Sequence, residues 1–463
     1  MAEPSVIVIG AGPAGVRAAE TLVEAGLRPV VIDESARDGG QIYRRQPDGF
    51  QRSKLMLYGT EATHAAALHT SFDQLKPLTD YRPCHLAWNI ADRHVHVVHR
   101  AASDELPYDA LIIATGATDR LMPLKGWQFA GTYSLGAAQI ALKSQAVAIG
   151  RRVVFLGTGP LLYLVAAQYV SAGATVVAVL DTSPLRAQVM ALPKLAARPE
   201  VLFNGLRLVL ALMRANVPVL RGVVPVEIHG EPDSGVSGLS VRLANSDVRH
   251  FDCDAVSLGY HLRPETQLAD LAGVQFAFDS ATRQYLPVID GDGRSSVPGV
   301  YLAGDGAKVR GADAAEIAGR LAAFAALSDL GHPVDPVRAV SLRRDLARME
   351  RFRSGLATAF PWPHALAADL PDDTVVCRCE GITAGELRDA ATGKGALELN
   401  RVKALTRVGM GRCQGRYCGH AAAEIVAAVT EQPLAHVGRL RGQAPVKPLP
   451  VVTRPVASGS ASS

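Results

Sequence analysis

Four cysteines crowd into one short segment, as Cys377-Arg378-Cys379 and Cys413-Gln414-Gly415-Arg416-Tyr417-Cys418. Four thiolates in two pairs can complete an all-cysteine iron–sulfur site. Gly381, Gly409, Gly411, Gly415 and Gly419 surround them, and glycine lets backbone N–H groups come close to cluster sulfur. Structural zinc is the rival, although its cysteine pairs usually stand about two to four residues apart, so the one-residue spacing of the first pair is unusual for it. A disulfide is the poorer rival in a chain expected to stay in a reducing compartment. Cys84 and Cys253 are single and sit among strand-like residues, where a buried small hydrophobe is the expected role.

Two further segments have the spacing that cradles a dinucleotide. In the first, the apolar strand Val6–Ile9 meets Gly10-Ala11-Gly12-Pro13-Ala14-Gly15, a helix runs to about Ala25, and a second strand ends at Asp33 and Glu34. Gly10 permits the tight turn, Gly12 admits a pyrophosphate, and Gly15 lets helix and strand pack closely, while the helix N-terminus offers free N–H groups. Asp33 stands where a carboxylate accepts hydrogen bonds from a ribose. The second copy reads Val153–Leu156, Gly157-Thr158-Gly159-Pro160-Leu161-Leu162, a helix to about Ala172, and a strand ending at Asp181. Leu162 stands where the third glycine should be, so this copy is degenerate and its use for NAD(P) or another nucleotide stays open. No cysteine pair lies near either fingerprint, so a disulfide-reductase mechanism has no dithiol.

The elements that must hold these groups follow from the same sequence. At 463 residues, the chain is expected to form about three domains. Hydrophobic residues make up 48% and charged residues 20%, which excludes a disordered or fibrous protein. The net charge of +4 gives no global footprint for nucleic acid. Thr383 with Glu386 three residues on predicts a capped helix between the cysteine pairs. The expected division is a dinucleotide-binding domain in two segments, 1–130 and 250–330, with the second such fold at 131–249. A linker at 331–370 with an Arg-rich helix around Leu342–Phe352, a cysteine domain at 371–440 and a disordered Pro-, Val- and Ser-rich tail at 441–463 complete it. Met1-Ala2-Glu3-Pro4 is no export signal. Leu161 to Leu180 is free of charge but broken by Ser171-Ala172-Gly173, so it reads as a buried helix, turn and strand and not as a membrane span. A cytoplasmic chain is expected, with peripheral association at the inner membrane face left open. His94, His96 and His99 alternate along a strand and read as a solvated face, and no general base stands out.

Beyond the first fingerprint, Gly39-Gly40-Gln41-Ile42, Ala114-Thr115-Gly116 and Val300-Tyr301-Leu302-Ala303-Gly304-Asp305 resemble the pattern of thioredoxin-reductase-like two-dinucleotide flavoproteins over residues 5 to 325. That resemblance implies an α/β fold of two Rossmann-like domains and FAD in the first, held by Gly10, Gly12, Ala14, Gly15, Asp33, Glu34, Gly40, Gln41, Thr115, Gly116, Gly304 and Asp305. Asp305 would bond the ribityl chain. Gly157, Gly159 and Asp181 are the corresponding candidates for a second nucleotide. Gly409-Met410-Gly411-Arg412-Cys413-Gln414-Gly415 resembles the bacterioferritin-associated-ferredoxin-like [2Fe-2S] domain, which makes Cys377, Cys379, Cys413 and Cys418 the cluster ligands. The order of these parts resembles the alpha subunits of the opine oxidase, hydrogen cyanide synthase and D-hydroxyproline dehydrogenase group. It implies a flavin-dependent oxidoreductase acting on a C–N bond, with an opine, glycine or D-hydroxyproline as candidate substrates. It further implies a beta flavoprotein subunit carrying the substrate site, sometimes a small ferredoxin-like subunit, and a quinone or other acceptor. The alternatives are a self-contained NAD(P)H-dependent reductase with an iron–sulfur outlet, and a zinc-bearing assembly module with empty nucleotide folds.

Overall fold

The computed structural model describes residues 3–49 and 52–450, together with the backbone of 454–455. The duplicated unit of the sequence is a duplicated sheet. In the first, strands run in the order Val300–Leu302, Ala110–Ile113, Val6–Ile9, Val30–Ile32, Asp80–Arg82, all parallel. In the second the order is Val219–Arg221, Thr175–Asp181, Arg152–Thr158, Ala255–Tyr260, Thr132–Ser134, again all parallel. Strands covered on both faces must be apolar throughout, and in the first sheet helices cover one face while Ala87, Ile90, Val95 and Val97 of a meander pack on the other. Accordingly Val6–Ile9, Ala110–Ile113 and Ala255–Tyr260 are buried at every position. Each sheet carries an antiparallel meander, at Leu86–Pro107 and Val224–Asp252.

The division differs from the sequence reading at three places. The second dinucleotide fold closes later than residue 249, because Ala255–Tyr260 pairs with Arg152–Thr158 in the second sheet. The chain returns only at Leu262–Pro264, which pairs antiparallel with Ala117–Asp119. The helix expected around Leu342–Phe352 is longer, Pro336–Ala359 with 24 residues, capped by Asp335, whose carboxylate accepts from Val337 and Arg338. Its Phe352 and Ala359 pack with Ala191 and Leu195 of the second unit, so the segment is a strut. Of the expected disordered tail, residues 441–450 pack on the first unit: Val446 is buried and donates its N–H to the Trp88 carbonyl. The rest of that tail is outside the described residues, apart from the 454–455 backbone pairing with Ala102–Ser103.

The cysteine segment is welded to the second unit, since Cys377, Cys418, Leu387 and Val426 share one apolar cluster with Trp127, Leu156 and Leu258. A polar lock closes the seam. Trp362 donates to Glu424 at 2.9 Å, Arg283 donates to the same carboxylate at 3.0 Å, and the Arg120 guanidinium lies 3.7 Å from the Trp362 ring centre. No helix among the described residues is long and apolar enough to cross a membrane. Leu161 to Leu180 forms the helix Pro160–Ser171 and the strand Thr175–Asp181.

Candidate functional site

The first glycine turn sits at the C-terminal edge of its sheet, where parallel α/β folds place ligands. Gly10 has φ +106°, and a Cβ there would stand 2.4 Å from the Ala114 carbonyl oxygen. A Cβ on Gly15 would stand 1.7 Å from the Gly10 oxygen, which is how closely the helix Pro13–Glu24 lies on its strand. Three other predicted segments converge here. Gly39 donates to the Ala11 carbonyl at 2.8 Å, a Cβ on Gly304 would meet Ala14 at 2.8 Å, and one on Gly306 would meet Thr115 Oγ1 at 2.8 Å. In contrast, a Cβ on Gly116 or Gly311 would meet nothing within 4 Å. The packed sides of the turn are closed, while Gly116 and Gly311 at its rim leave free space, and a helix N-terminus beside such a turn suits a pyrophosphate.

The acidic groups divide their work. Asp33 accepts from the N–H of Ala11 at 2.6 Å and of Ser35 at 2.7 Å. Burial pushes its carboxyl up, against those two bonds. It braces the glycine turn. Its neighbour Glu34 has the more open carboxylate, half exposed and paired with Lys447. Asp305 accepts through Oδ1 from Arg310 at 2.7 Å and Gly311 at 3.0 Å, shaping the loop that opens the helix Ala312–Asp329. Its Oδ2 makes no hydrogen bond among the described residues. Gln41 is exposed beside the turn. One residue that sequence reasoning missed is Lys143, buried across the domain seam with its ammonium donating to the Ile42 carbonyl at 3.2 Å. Desolvation lowers it to about 8. Its short helix carries no motif that could have marked it.

The second turn is filled by the protein itself. A Cβ on Gly159 would lie 3.1 Å from the His261 ring, whose Nε2–H donates to the Phe360 carbonyl. Asp181 Oδ1 accepts from Thr158 at 2.8 Å, from the Ser183 N–H at 2.8 Å and from the Ser183 hydroxyl at 2.7 Å. Its Oδ2 accepts from Tyr163 at 2.6 Å and Gln188 at 3.3 Å. Five internal donors leave no role for a ribose, and a Cβ on Gly157 would stand 1.7 Å from the Gly259 oxygen. The residues present here do not fit NAD(P). The strut ending at Phe360 holds His261 against this turn, a contact that only tertiary structure could reveal.

His261 has a consequence for acid stability. Desolvation, with Arg120 and Arg353 nearby, lowers it to about 4 against the bond to Phe360. The folded state keeps it neutral while an unfolded chain takes a proton near pH ~6.5, so stability falls as pH drops from about 6.5 to about 4, by at most ~1.4 kcal/mol per unit. His261→Asn is expected to flatten that slope in thermal melts taken across this window. An unchanged slope would assign the acid sensitivity elsewhere.

At the other end, the thiols form an arc. Cys418 contacts Cys377 and Cys413, and Cys413 contacts Cys379. Backbone N–H groups of Gly409, Cys379 and Glu380 point at Cys377, and those of Tyr417 and Gly415 at Cys413. Donation from the Cys418 thiol is the first cause that lowers Cys377 to about 6 and Cys413 to about 5, while Cys418 itself is raised. Four converging sulfurs ringed by N–H donors suit an iron–sulfur cluster. Gly411 is required by closeness, since a Cβ would fall 2.2 Å from that of Cys379. The predicted capping box closes between the pairs: Thr383 accepts from the Glu386 N–H, and Glu386 accepts from the Thr383 N–H at 2.8 Å. Of the other two cysteines, Cys253 is buried as expected, with desolvation raising it to about 12. Cys84 is exposed, placed by a turn at φ +57° outside the strand core that its neighbours suggest.

The two sites meet at one residue. Glu265 N–H donates to the Gly116 carbonyl at 2.9 Å and its own carbonyl accepts from Thr115 Oγ1 at 2.6 Å. Its carboxylate takes two bonds from Arg416, at 2.7 and 3.2 Å, inside the Cys413–Cys418 loop. Arg263 donates to the Arg416 carbonyl at 3.0 Å and Gln267 to that of Gln414 at 2.6 Å. Burial would raise the Glu265 carboxyl, but the charges of Arg416 and Arg263 and the Arg416 bond outweigh it and hold it low.

Residues 4–320 match the pyridine nucleotide-disulphide oxidoreductase family and residues 375–428 the BFD-like [2Fe-2S] binding domain. The chain is 37% identical to the opine oxidase A-subunit of Agrobacterium tumefaciens, over 96% of this chain and 90% of that one. The chain belongs to that family. Hydrogen cyanide synthase subunit HcnB of Pseudomonas protegens is 31% identical, over 96% of each chain. Among solved structures, L-proline dehydrogenase from P. horikoshii superposes with a TM-score of 0.70 at 20% identity, over 97% of this chain and 78% of that one, a likeness of fold. As a member of the opine oxidase A-subunit family, the protein is a flavin oxidoreductase with FAD and [2Fe-2S] as its cofactors. FAD supplies a carrier that takes electrons in pairs and releases them singly, and the cluster takes one at a time. Glu265 ties the glycine turn to the loop of the sulfur arc.

Proposed function

We propose that this chain is the electron-handling subunit of a heteromeric dehydrogenase that oxidises an amino acid, imino acid or opine C–N bond. A separate flavoprotein subunit holds the substrate, and the electrons leave to a quinone or other respiratory acceptor. The observation that carries this reading is the Glu265 bridge, which joins the Thr115-Gly116 turn of the flavin cradle directly to the cysteine loop. The ligands assigned on this reading are the cradle residues Gly10, Gly12, Ala14, Gly15, Glu34, Gly40, Gln41, Thr115, Gly116, Gly304 and Asp305, with Cys377, Cys379, Cys413 and Cys418 for the cluster. Asp33 acts as a brace of the turn. The relatives' own names, each that of one subunit in a larger enzyme, support a missing partner and leave the substrate to the partner's pocket.

The filled second cleft counts against a self-contained NAD(P)H reductase. Anaerobically purified chain is expected to keep its oxidised flavin absorbance with excess NADH or NADPH, and to bleach with dithionite. Co-expression with an adjacent oxidase-like subunit is expected to let an amine or opine substrate reduce the flavin and produce the cluster's EPR signal. Rapid bleaching of the single chain by NADH would overturn this reading in favour of the reductase, and a colourless protein would sink both.

A further inference from the structure

Among the described residues, eight of the 21 large apolar side chains that stand exposed fall between Leu185 and Met213. They lie on two consecutive helices of the second unit, Leu185–Leu195 and Pro199–Arg214. Both helices already bury an inner face. Ala191 and Leu195 pack on Phe352 and Ala359, and Leu212 joins the core around Tyr163 and Val165. A second apolar stripe therefore faces outward on each. On the longer helix it is Phe203, Leu206, Leu210 and Met213, spaced three, four and three residues apart and so on one face, from 48% to 66% exposed. On the shorter it is Leu185, Val189 and Leu192.

The charge beside these stripes has one sign. Arg186, Lys194, Arg207 and Arg214 make no ion pair among the described residues. The segment's single acid, Glu200, is bonded to Arg198 at 2.8 Å. Residues 185–214 contain no Ser, Thr, Tyr, Trp or His, and of their two amides Gln188 is turned inward to Asp181 and Ser183. Apart from those cations and Asn204, this face offers no side-chain group for the directional hydrogen bonds that a protein partner's interface carries, about one per 100–200 Å². Leu, Met and Phe in a stripe, flanked by cations that need no fixed partner, match a helix lying in the plane of an anionic lipid surface. We propose that the helix pair 185–214 docks the protein on an anionic membrane face, its apolar stripes in the headgroup boundary and Arg186, Lys194, Arg207 and Arg214 among the lipid phosphates.

Binding of the full chain to vesicles of phosphatidylcholine, with and without phosphatidylglycerol, tests this by co-sedimentation and is independent of electron transfer. Binding is expected only with phosphatidylglycerol, and to fall as salt rises. Leu206→Glu with Leu210→Glu, and separately Arg207→Glu with Arg214→Glu, are each expected to weaken it by about tenfold or more, with unchanged near-UV circular dichroism. Should the leucine pair disturb folding, the arginine pair carries the test. No binding to anionic vesicles, or binding by both variants equal to that of the wild type, overturns the proposal. So does a result in which the leucine variant dissociates a dimer or a co-expressed subunit while vesicles are ignored, since the stripe is then a protein interface.

Discussion

Glu265→Gln is expected to damage both stability and electron exit, and it is the most informative single change in this chain. The wild-type carboxylate is held low between Arg416 and Arg263, in a largely buried position where its side chain is 15% exposed. Removing one partner of a buried pair leaves the other charge uncompensated, at a cost of about 3–5 kcal/mol. Here two guanidiniums lose their anion, and the Arg416 fork also donates to the carbonyls of Cys413 and Val446. The cysteine loop and residues 441–450 should therefore loosen together. Chemical denaturation of the holoprotein would register the loss. A second readout separates positioning from bulk stability: with a negative charge removed beside the cluster loop, the cluster's midpoint potential in redox-titrated EPR is expected to rise. Glu265→Asp, which restores the charge, should move it back toward the wild-type value. A Gln variant with wild-type stability and potential would show that the bridge is ornamental.

Gly15→Ala should strip the flavin from an otherwise soluble chain. The added methyl would sit 1.7 Å from the Gly10 carbonyl oxygen and 3.5 Å from Val8, so backbone and not a flexible side chain must give way. Overpacking of this kind costs about 1–3 kcal/mol where side chains can adjust, and a backbone clash lies at or above that range. Moving the helix Pro13–Glu24 off its strand would also lift its N-terminus from the phosphates. The expected result is flavin absorbance per chain near zero, with the cysteine segment's EPR signal retained, because that segment's core lies with the second sheet. Gly311→Ala, at φ +94° but with nothing within 4 Å of its Cβ, is the matched control for strain without collision and should keep most of its flavin. Equal flavin in the Gly15 variant would mean that the turn does not hold the cofactor.

Much of the fold and of the site was legible without coordinates, for a physical reason. Glycine turns, the cysteine spacing and the Thr383–Glu386 box are local: each is set by what a few neighbouring residues can do with backbone and side chain, and each stands where it was expected. What failed was assignment at a distance. Ala255–Tyr260 is a buried parallel strand, apolar at nearly every position, and nothing in such a run states which sheet it joins. Asp33 and Glu34 are adjacent acids, and only the inward direction of the first, toward Ala11 and Ser35, separates brace from open carboxylate. The helix Pro336–Ala359 looked like a linker because its surface is rich in arginine, while its buried contacts are a sparse set of small and aromatic residues.

The sequence by itself determined that this protein has one complete dinucleotide turn, one degenerate copy and one four-cysteine segment, since those are matters of residue type and short spacing. Tertiary structure alone decided what they amount to together. It closed the second cleft with His261, Tyr163 and Phe360, residues drawn from three separate stretches of chain. It also brought Gly116 to Arg416 through Glu265, across 300 residues of sequence. Contacts of that range depend on how whole layers pack, and no local pattern carries that information.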